Sequence, residues 1–449
     1  MRVAMIGTGY VGLVSAACFS EFGFNVTCVD KVTEKIEGLI AGKIPIFEPG
    51  LDDLVKNNSL AGRLDFTTDI HKAVEQADIV MLAVGTPSRR GDGHADLSFI
   101  WQAAEEIGAA IKGYTIIVTK STVPVGTGQK IKNIIKKIQP NADFEVASNP
   151  EFLREGSAIS DFMRPDRVVV GVETERARDL LASLYRPLFL LETPIIFTSL
   201  QSAELIKYAA NTFLATKITF INEIANLCES VGADVQDVAK AIGLDGRIGG
   251  KFLHAGPGFG GSCFPKDSRA FVRIAEENGV PSRIVKAVVD ANEERKESMA
   301  DRVILACNGD INNKIIAILG VTFKPNTDDI RESPSLSIIP ALLHQGANVR
   351  VYDPEGEDEA KSVINGVSWH ETAYEAMENA DILAIITEWN EFRALDLVRV
   401  KGLLAQPVVV DYRNIYNPQE MAKNGFYYYS IGRPIVVPSG SQKENFRAE

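Results

Sequence analysis

The stretch Gly256-Pro-Gly-Phe-Gly-Gly-Ser-Cys-Phe-Pro-Lys-Asp267 gathers the residue types best suited to covalent chemistry. Four glycines in six residues leave room for a ligand to lie against the backbone. Cys263 follows at once, with Lys266 and Asp267 three and four residues later. A thiol is a strong nucleophile as the thiolate, and a nearby cation such as Lys266 favours that form. A second candidate pair, Lys207 and Asn211, lies four residues apart on one face of an expected helix. Between Lys207 and Glu223 the only charge is Lys217, so much of that helix is expected to be buried. An ammonium and an amide on such a helix can hold an oxyanion or a hydroxyl. A third group, Asn149-Pro-Glu151-Phe-Leu-Arg-Glu155, carries two carboxylates four apart after a strand end. The competing reading of that pair is a solvated helix start.

These groups need a scaffold, and the N-terminal residues supply one. Arg2 to Ile6 reads as a buried strand, Gly7-Thr-Gly9-Tyr10-Val11-Gly12 opens a helix, and Asn25 to Asp30 is a second strand ending on an acid. Strand, glycines, helix and terminal acid together form a dinucleotide-binding unit. Gly7 makes the turn, Gly9 admits the pyrophosphate and Gly12 lets the helix pack on the sheet. The helix N-terminus attracts the phosphates, and Asp30 accepts from the ribose hydroxyls while repelling a 2′-phosphate. The expected cofactor is therefore NAD, with Lys31 the one residue arguing otherwise. Further strands at Ala77 to Val84 and Thr115 to Thr122 bring Thr86, Pro87 and Thr122 to the ligand edge of the sheet. Residues 89–96 read as a polar loop.

Ser202 to Val231 reads as one long helix, and residues 280–305 as helical again. Beyond them the first pattern repeats. Lys314 to Gly320, Asn348 to Asp353 and Ala380 to Ile386 echo Arg2 to Gly7, Asn25 to Asp30 and Ala77 to Val84. A second sheet of related topology is expected. Its glycine fingerprint is replaced by Gly320-Val-Thr-Phe-Lys324, followed by Pro325 to Arg331, which suits a different phosphate-bearing ligand. Asp411-Tyr-Arg413 ends another strand. The expected class is α/β, with two Rossmann-like doubly wound domains joined by a long central helix and a helical region. The expected domains are 1–200, 201–305, 306–435 and a flexible tail at 436–449.

Composition bounds the partners. A net charge of −12 argues against a nucleic-acid or anionic-membrane partner. No apolar run reaches the length needed to span a bilayer, and no leader segment is expected, since the first residues already read as a strand. Five scattered cysteines, never in CxxC spacing, argue against a disulfide framework or a thiolate metal site. Five isolated histidines make no ligand pair, so no metal is expected. A reducing, cytoplasmic setting is the expectation.

Six motifs in order resemble the UDP-glucose/GDP-mannose dehydrogenase family: GTGYVG at Gly7 to Gly12, Ser121-Thr122-Val-Pro, Asn149 to Glu155, Ala203-Glu-Leu-Ile-Lys207 with Asn211, GFGGSC263FPKD, and FK324PNTDDIR331. The resemblance runs from residue 1 to about 430. It implies oxidation of a sugar 6-hydroxymethyl group to a carboxylate, using two NAD⁺ and no metal. It assigns Asp267 a role with the hydrolytic water, along with Glu151 and Thr122. It places Glu151, Phe152, Leu153, Arg154, Glu155, Lys207, Asn211, Phe252, Leu253, His254, Ala255, Gly256, Phe259, Gly260, Lys324 and Arg413 around the nucleotide sugar. Tyr10, Val11, Asp30, Lys35, Thr86, Pro87, Thr122, Glu155, Lys266 and Arg331 would contact NAD. Arg247 would reach the sugar of a neighbouring protomer, in a homodimer or higher homo-oligomer. Arg247-Ile-Gly-Gly-Lys-Phe252 resembles the UDP-glucose branch, with GDP-mannose and UDP-N-acetylmannosamine as alternative substrates.

The chemistry accounts for these residues independently. An alcohol-to-acid oxidation needs two hydride transfers without release of the aldehyde. Cys263 can form a thiohemiacetal and then a thioester that water hydrolyses. Lys207 and Asn211 suit the oxygen anion of those states. The choice of base among Glu151, Asp267 and Lys207 stays open. A two-electron hydroxyacid dehydrogenase would need neither the cysteine nor the second nucleotide domain, and an NAD-binding sensor would not need Lys207, Asn211 and Asp267.

Overall fold

Along the first strand, side chains alternate between two cores: Val3 and Met5 enter one apolar cluster, Ala4 and Ile6 the other. Ile79 and Met81 against Val80 and Leu82 do the same. Such strands are continuous apolar runs because a parallel sheet is covered by helices on both faces.

The computed structural model describes residues 1–87, 89 and 94–439. The expectations that fall on 90–93 in the polar loop and on 440–449 in the tail lie outside the described residues. The described residues pack as two units, those within Met1–Asn211 and Arg269–Pro281, and those within Thr212–Ser268 and from 282 to 439.

The first unit holds β1 (Arg2–Ile6), β2 (Asn25–Val29), β3 (Leu64–Thr67), β4 (Ile79–Leu82), β5 (Thr115–Thr119), β6 (Phe144–Ser148), β7 (Val168–Gly171) and β8 (Ile195–Thr198). Their order is β3-β2-β1-β4-β5-β6-β7-β8. The first six are parallel in the doubly wound order of dinucleotide domains. β7 meets β6 antiparallel and pairs β8 in parallel.

The second unit holds β9 (Ile315–Leu319), β10 (Asn348–Tyr352), β11 (Ser368–Trp369), β12 (Ile382–Ile385), β13 (Val408–Asp411) and β14 (Tyr427–Ser430). Their order, β11-β10-β9-β12-β13-β14, repeats the first six strands, all parallel. Ile316 and Ile318 again face one cluster, Ala317 and Leu319 the other. The internal repeat expected from the sequence is present as topology.

Leu200–Val231 forms one helix of 32 residues. The expectation that its uncharged middle is mostly buried holds on one face only. Tyr208, Ala215, Ile221 and Ala225 are fully buried, whereas Phe213 is 66% and Phe220 49% exposed. Leu227 and Val231 continue that exposed face. Seven-residue spacing puts Phe213, Phe220 and Leu227 on one stripe. A lack of charge does not distinguish a core face from an apolar face without a partner in the same chain.

Candidate active site

The first cradle forms where β1 meets the helix Tyr10–Glu21. Gly7 has φ +100°, and a Cβ there would sit 2.7 Å from the Ala83 carbonyl oxygen. A Cβ on Gly12 would overlap the Gly7 carbonyl oxygen and press on Ala83. At Gly9 a Cβ would meet nothing within 4 Å, so the space there is open. Asp30, just past β2, accepts from the Thr8 N–H at 3.0 Å, the Thr8 hydroxyl at 2.7 Å and the Val32 N–H at 3.2 Å. Burial alone would raise its pKa, but these donors and Lys35 at 3.5 Å outweigh burial and hold it below the ordinary carboxylate range. Lys31 is turned to Gln102 Oε1 at 3.4 Å and lies over the Phe99 ring. Thr86 donates to the Thr122 carbonyl at 3.1 Å, tying together the ends of two neighbouring strands.

Tyr10 is bound more tightly than its motif position suggested. Its hydroxyl donates to Glu48 and accepts from the Gly156 N–H at 2.9 Å, while Glu48 also accepts from Gly156 and Ala158. Burial and the Glu48 carboxylate together push this phenol far above its normal pKa. The Glu48 anchor carries no motif and was not foreseen.

The Glu151 segment is not a solvated helix start. Glu151 is 5% exposed, and Lys207 Nζ lies 2.9 Å from its Oε1 with Lys207 itself 3% exposed. The segment is irregular because β6 ends at Ser148 and Pro150 follows. Phe152 lies under the Lys207 ammonium at 5.4 Å and against the Arg167 guanidinium at 3.7 Å. Arg154 instead forms a bidentate pair with Asp161. Asn211, one turn beyond Lys207, is also buried. Sequence reading missed Lys120, a fully enclosed ammonium 2.9 Å from Asn149 Oδ1. Burial pulls its pKa down to about 8, with Glu151 opposing and Lys207 adding to the shift. The available signal was a lysine directly after the buried strand β5.

In the second unit, Cys263 immediately precedes the helix Phe264–Glu277, and its carbonyl accepts the Asp267 N–H at 2.8 Å. A thiol at a helix N-terminus is favoured as thiolate. Lys266 pairs with buried Asp267 at 2.7 Å. The glycines are used tightly. A Cβ on Gly260 would overlap the Glu332 carbonyl, and one on Gly261 (φ +85°) would lie 2.8 Å from the Phe323 ring. A Cβ on Gly256 would come within 3.3 Å of Arg413 Nη1, so Gly256 and Arg413 are neighbours. Arg413 also donates to the Ile386 and Phe323 carbonyls and pairs with Glu388. Phe252 and Phe259 both pack on Phe264, Leu253 and Ala255 are buried, and His254 is exposed. Lys324 Nζ lies 5.4 Å from the Phe323 ring centroid. Arg331 pairs with Asp329, and Arg247, 89% exposed, with Asp245.

Three family models match in succession: the NAD binding domain of the UDP-glucose/GDP-mannose dehydrogenase family over residues 1–189, its central domain over 201–294 and its UDP binding domain over 317–418. The chain belongs to the UDP-glucose/GDP-mannose dehydrogenase family. A UDP-glucose 6-dehydrogenase of Rhizobium meliloti (strain 1021) is 58% identical over 97% of this chain and 100% of its own. UDP-glucose 6-dehydrogenase TuaD of Bacillus subtilis (strain 168) is 49% identical over 97% of this chain and 94% of its own. The solved UDP-glucose dehydrogenase of the archaeon Pyrobaculum islandicum superposes with a TM-score of 0.88 at 38% identity, covering 95% of this chain and 96% of that one.

As a member of this family the chain is an NAD-dependent oxidoreductase. The first cradle fits NAD on its own geometry: open space at Gly9, a helix N-terminus beside it, and an ionised, partly exposed Asp30 at the strand end. Among the described residues, no helix is long and apolar enough to cross a membrane, and no group of three His, Cys, Asp or Glu side chains could hold a metal ion.

Proposed function

We propose that this chain oxidises the 6-hydroxymethyl group of UDP-glucose to the carboxylate of UDP-glucuronate, with two NAD⁺ reduced per turnover. The observation that carries the reading is Cys263, held at a helix N-terminus in a glycine loop, in a chain 58% identical to a protein named UDP-glucose 6-dehydrogenase. Bound NAD⁺ supplies the hydride acceptor for each oxidation. The Cys263 thiolate adds to the aldehyde carbon left by the first oxidation, giving a thiohemiacetal. Loss of a second hydride and the hydroxyl proton gives the thioester. Water cleaves it to carboxylate and thiol, so one alcohol, two NAD⁺ and one water become one carboxylate, two NADH and three protons.

Lys207, with Asn211, holds the developing oxygen anion, and the buried Glu151 partner at 2.9 Å fixes the position of its ammonium. Thr122, Glu151 and Asp267 serve the water and proton steps. The nucleotide sugar is held by Phe152 to Glu155, Phe252 to Gly256, Phe259, Gly260, Lys324 and Arg413. Lys35, Thr86, Pro87, Glu155, Lys266 and Arg331 are the further contacts to NAD. The exposed stripe of Phe213, Phe220 and Leu227 supports a homodimer, and outward-pointing Arg247 supports its use in the partner's site.

The test is stoichiometry across a panel of UDP-glucose, UDP-galactose, GDP-mannose and UDP-N-acetylmannosamine. Two NADH per UDP-glucose, and slower turnover of the other sugars, are expected. One NADH would mean a two-electron dehydrogenase, and none a binding protein. A faster reaction with GDP-mannose or UDP-N-acetylmannosamine would move the substrate to that branch.

A further inference from the structure

Upstream of Cys263, the loop is gripped by three buried side chains that no motif singles out. Asn292, 2% exposed on the helix Arg283–Ser298, accepts the Phe259 N–H at 2.8 Å and donates to the Phe259 carbonyl at 3.0 Å. Asn222, 2% exposed on the long helix, accepts the Gly256 N–H at 2.9 Å. Arg295 Nε donates to the Gly256 carbonyl at 2.6 Å, and its Nη1 to the Asn222 carbonyl and Asn226 Oδ1. Both backbone groups of Gly256 and of Phe259 are thus paired to side chains, as a neighbouring strand would pair them. Between them Gly258 takes φ +110°, where a Cβ would lie 2.9 Å from Lys296 Cγ. On the far side the Gly261 N–H donates to the Arg331 carbonyl at 2.8 Å.

We infer that Asn292, Asn222 and Arg295 are positioning residues for the reaction, a clamp that fixes the Gly256–Phe259 backbone and through it the seating of the Cys263 thiol on its helix. Three residues separate Phe259 from Cys263, and of the four between Gly256 and Gly261 only Phe259 is clamped directly, the others being Pro257, Gly258 and Gly260. Apart from Pro257, whose ring fixes its own φ, the segment has little that can hold its conformation, because glycine imposes no backbone preference. The rigidity must come from outside, and these three side chains provide it. Asn292 is suited to the task because one amide offers both the acceptor and the donor that a single residue's backbone needs.

The inference rests on Cys263 being the nucleophile, and its test separates the two. In the full-length enzyme, the rate at which iodoacetamide alkylates Cys263, followed on its peptide by mass spectrometry, is measured against pH for wild type, Asn292→Ala and Arg295→Lys. Asn292→Ala should move the alkylation midpoint to higher pH, because the thiol leaves the helix N-terminus, and should lower kcat about 100-fold with little change in KM for NAD⁺. Arg295→Lys, which keeps the cation but not the fork, should shift both in the same direction by less and stays informative if Asn292→Ala fails to fold. A midpoint that is unmoved or moves down in the folded variants overturns the clamp. Cys263→Ser with near-native turnover would remove the nucleophile reading instead, and the alkylation result would stand apart from it.

Discussion

The two sheets share a strand order, a glycine turn and a terminal acid, yet the acids have opposite fates. Gly7 and Gly320 both turn the chain at positive φ, +100° and +89°, each against a neighbouring strand end. Asp30 and Asp353 both accept the N–H and hydroxyl of a threonine in that turn, Thr8 and Thr322. Asp353, however, is 2% exposed and also accepts from the N–H groups of Val321, Glu355 and Gly356 and from the Trp389 indole. Its lone pairs are filled by the protein. Asp30 keeps part of its surface and a lysine at 3.5 Å. One motif acid has become a structural knot and the other remains open to a ribose, so a repeated topology does not imply a repeated ligand.

The largest expected effect breaks the sealed acid. Asp353→Ala leaves several buried donors without an acceptor and should destabilise the second unit by about 3–5 kcal/mol. Denaturant unfolding checks this, with KM for NAD⁺ measured on the folded fraction expected to be unchanged. A loss below about 1 kcal/mol would mean water replaces the carboxylate, and the contrast with Asp30 would collapse.

A buried charge with fewer partners sharpens the same rule. Lys120 is enclosed, and burial lowers its pKa to about 8. In the unfolded chain it titrates at its ordinary value near 10.4, so between those values the unfolded state binds more protons and stability rises with pH. Below about pH 8 the full cost of the buried ammonium, at most about 3 kcal/mol, is present. Lys120→Met should remove that rise, and its unfolding free energy should gain on wild type at pH 7 and lose the gain by pH 10. Tyr185 continues to donate to Asn149 in the variant, which limits the damage. Parallel stability profiles for the two proteins would show that Lys120 titrates normally.

The sequence made the strands, the repeat and the nucleotide cradle legible because each has a local signature: apolar runs, a glycine turn and an acid at the strand end. The cysteine loop was legible for the same reason. What it hid was non-local. Glu48 serves Tyr10 and Gly156 across 38 and 108 residues, and Asn292 serves Phe259 across 33. An asparagine inside a helix offers no sign of the backbone it will hold. Much of the long helix was expected to be buried, yet Phe213 and Phe220 are exposed, since apolar character reports a preference for contact and not which molecule provides it. The burial of Glu151 depended on Lys207, 56 residues later, reaching back to it.

The smallest effect tests the open acid itself. Asp30→Ala removes a carboxylate that Thr8, Val32 and Lys35 hold ionised, so the site loses an acceptor and a negative charge together. Hydrogen bonds to a charged group are worth about 1.5–3 kcal/mol, so kcat/KM for NAD⁺ should fall at least about tenfold. Stability should change little, because the freed Thr8 and Val32 donors stand beside a partly exposed position where water can reach. The competing cofactor gives the sharper reading. Lys31 is engaged with Gln102 and Phe99, but Lys35 would lose its partner and become available to a 2′-phosphate. Activity with NADP⁺ should therefore hold or rise while that with NAD⁺ falls, narrowing the preference from both sides. Because the folded pKa of Asp30 is depressed, its charge is present throughout neutral pH and lost only as pH falls through that depressed value, so the wild-type preference should be flat from about pH 6 to 9. If both cofactors lose equally in Asp30→Ala, the acid supports the turn at Thr8, as Asp353 supports its own, and does not read the ribose.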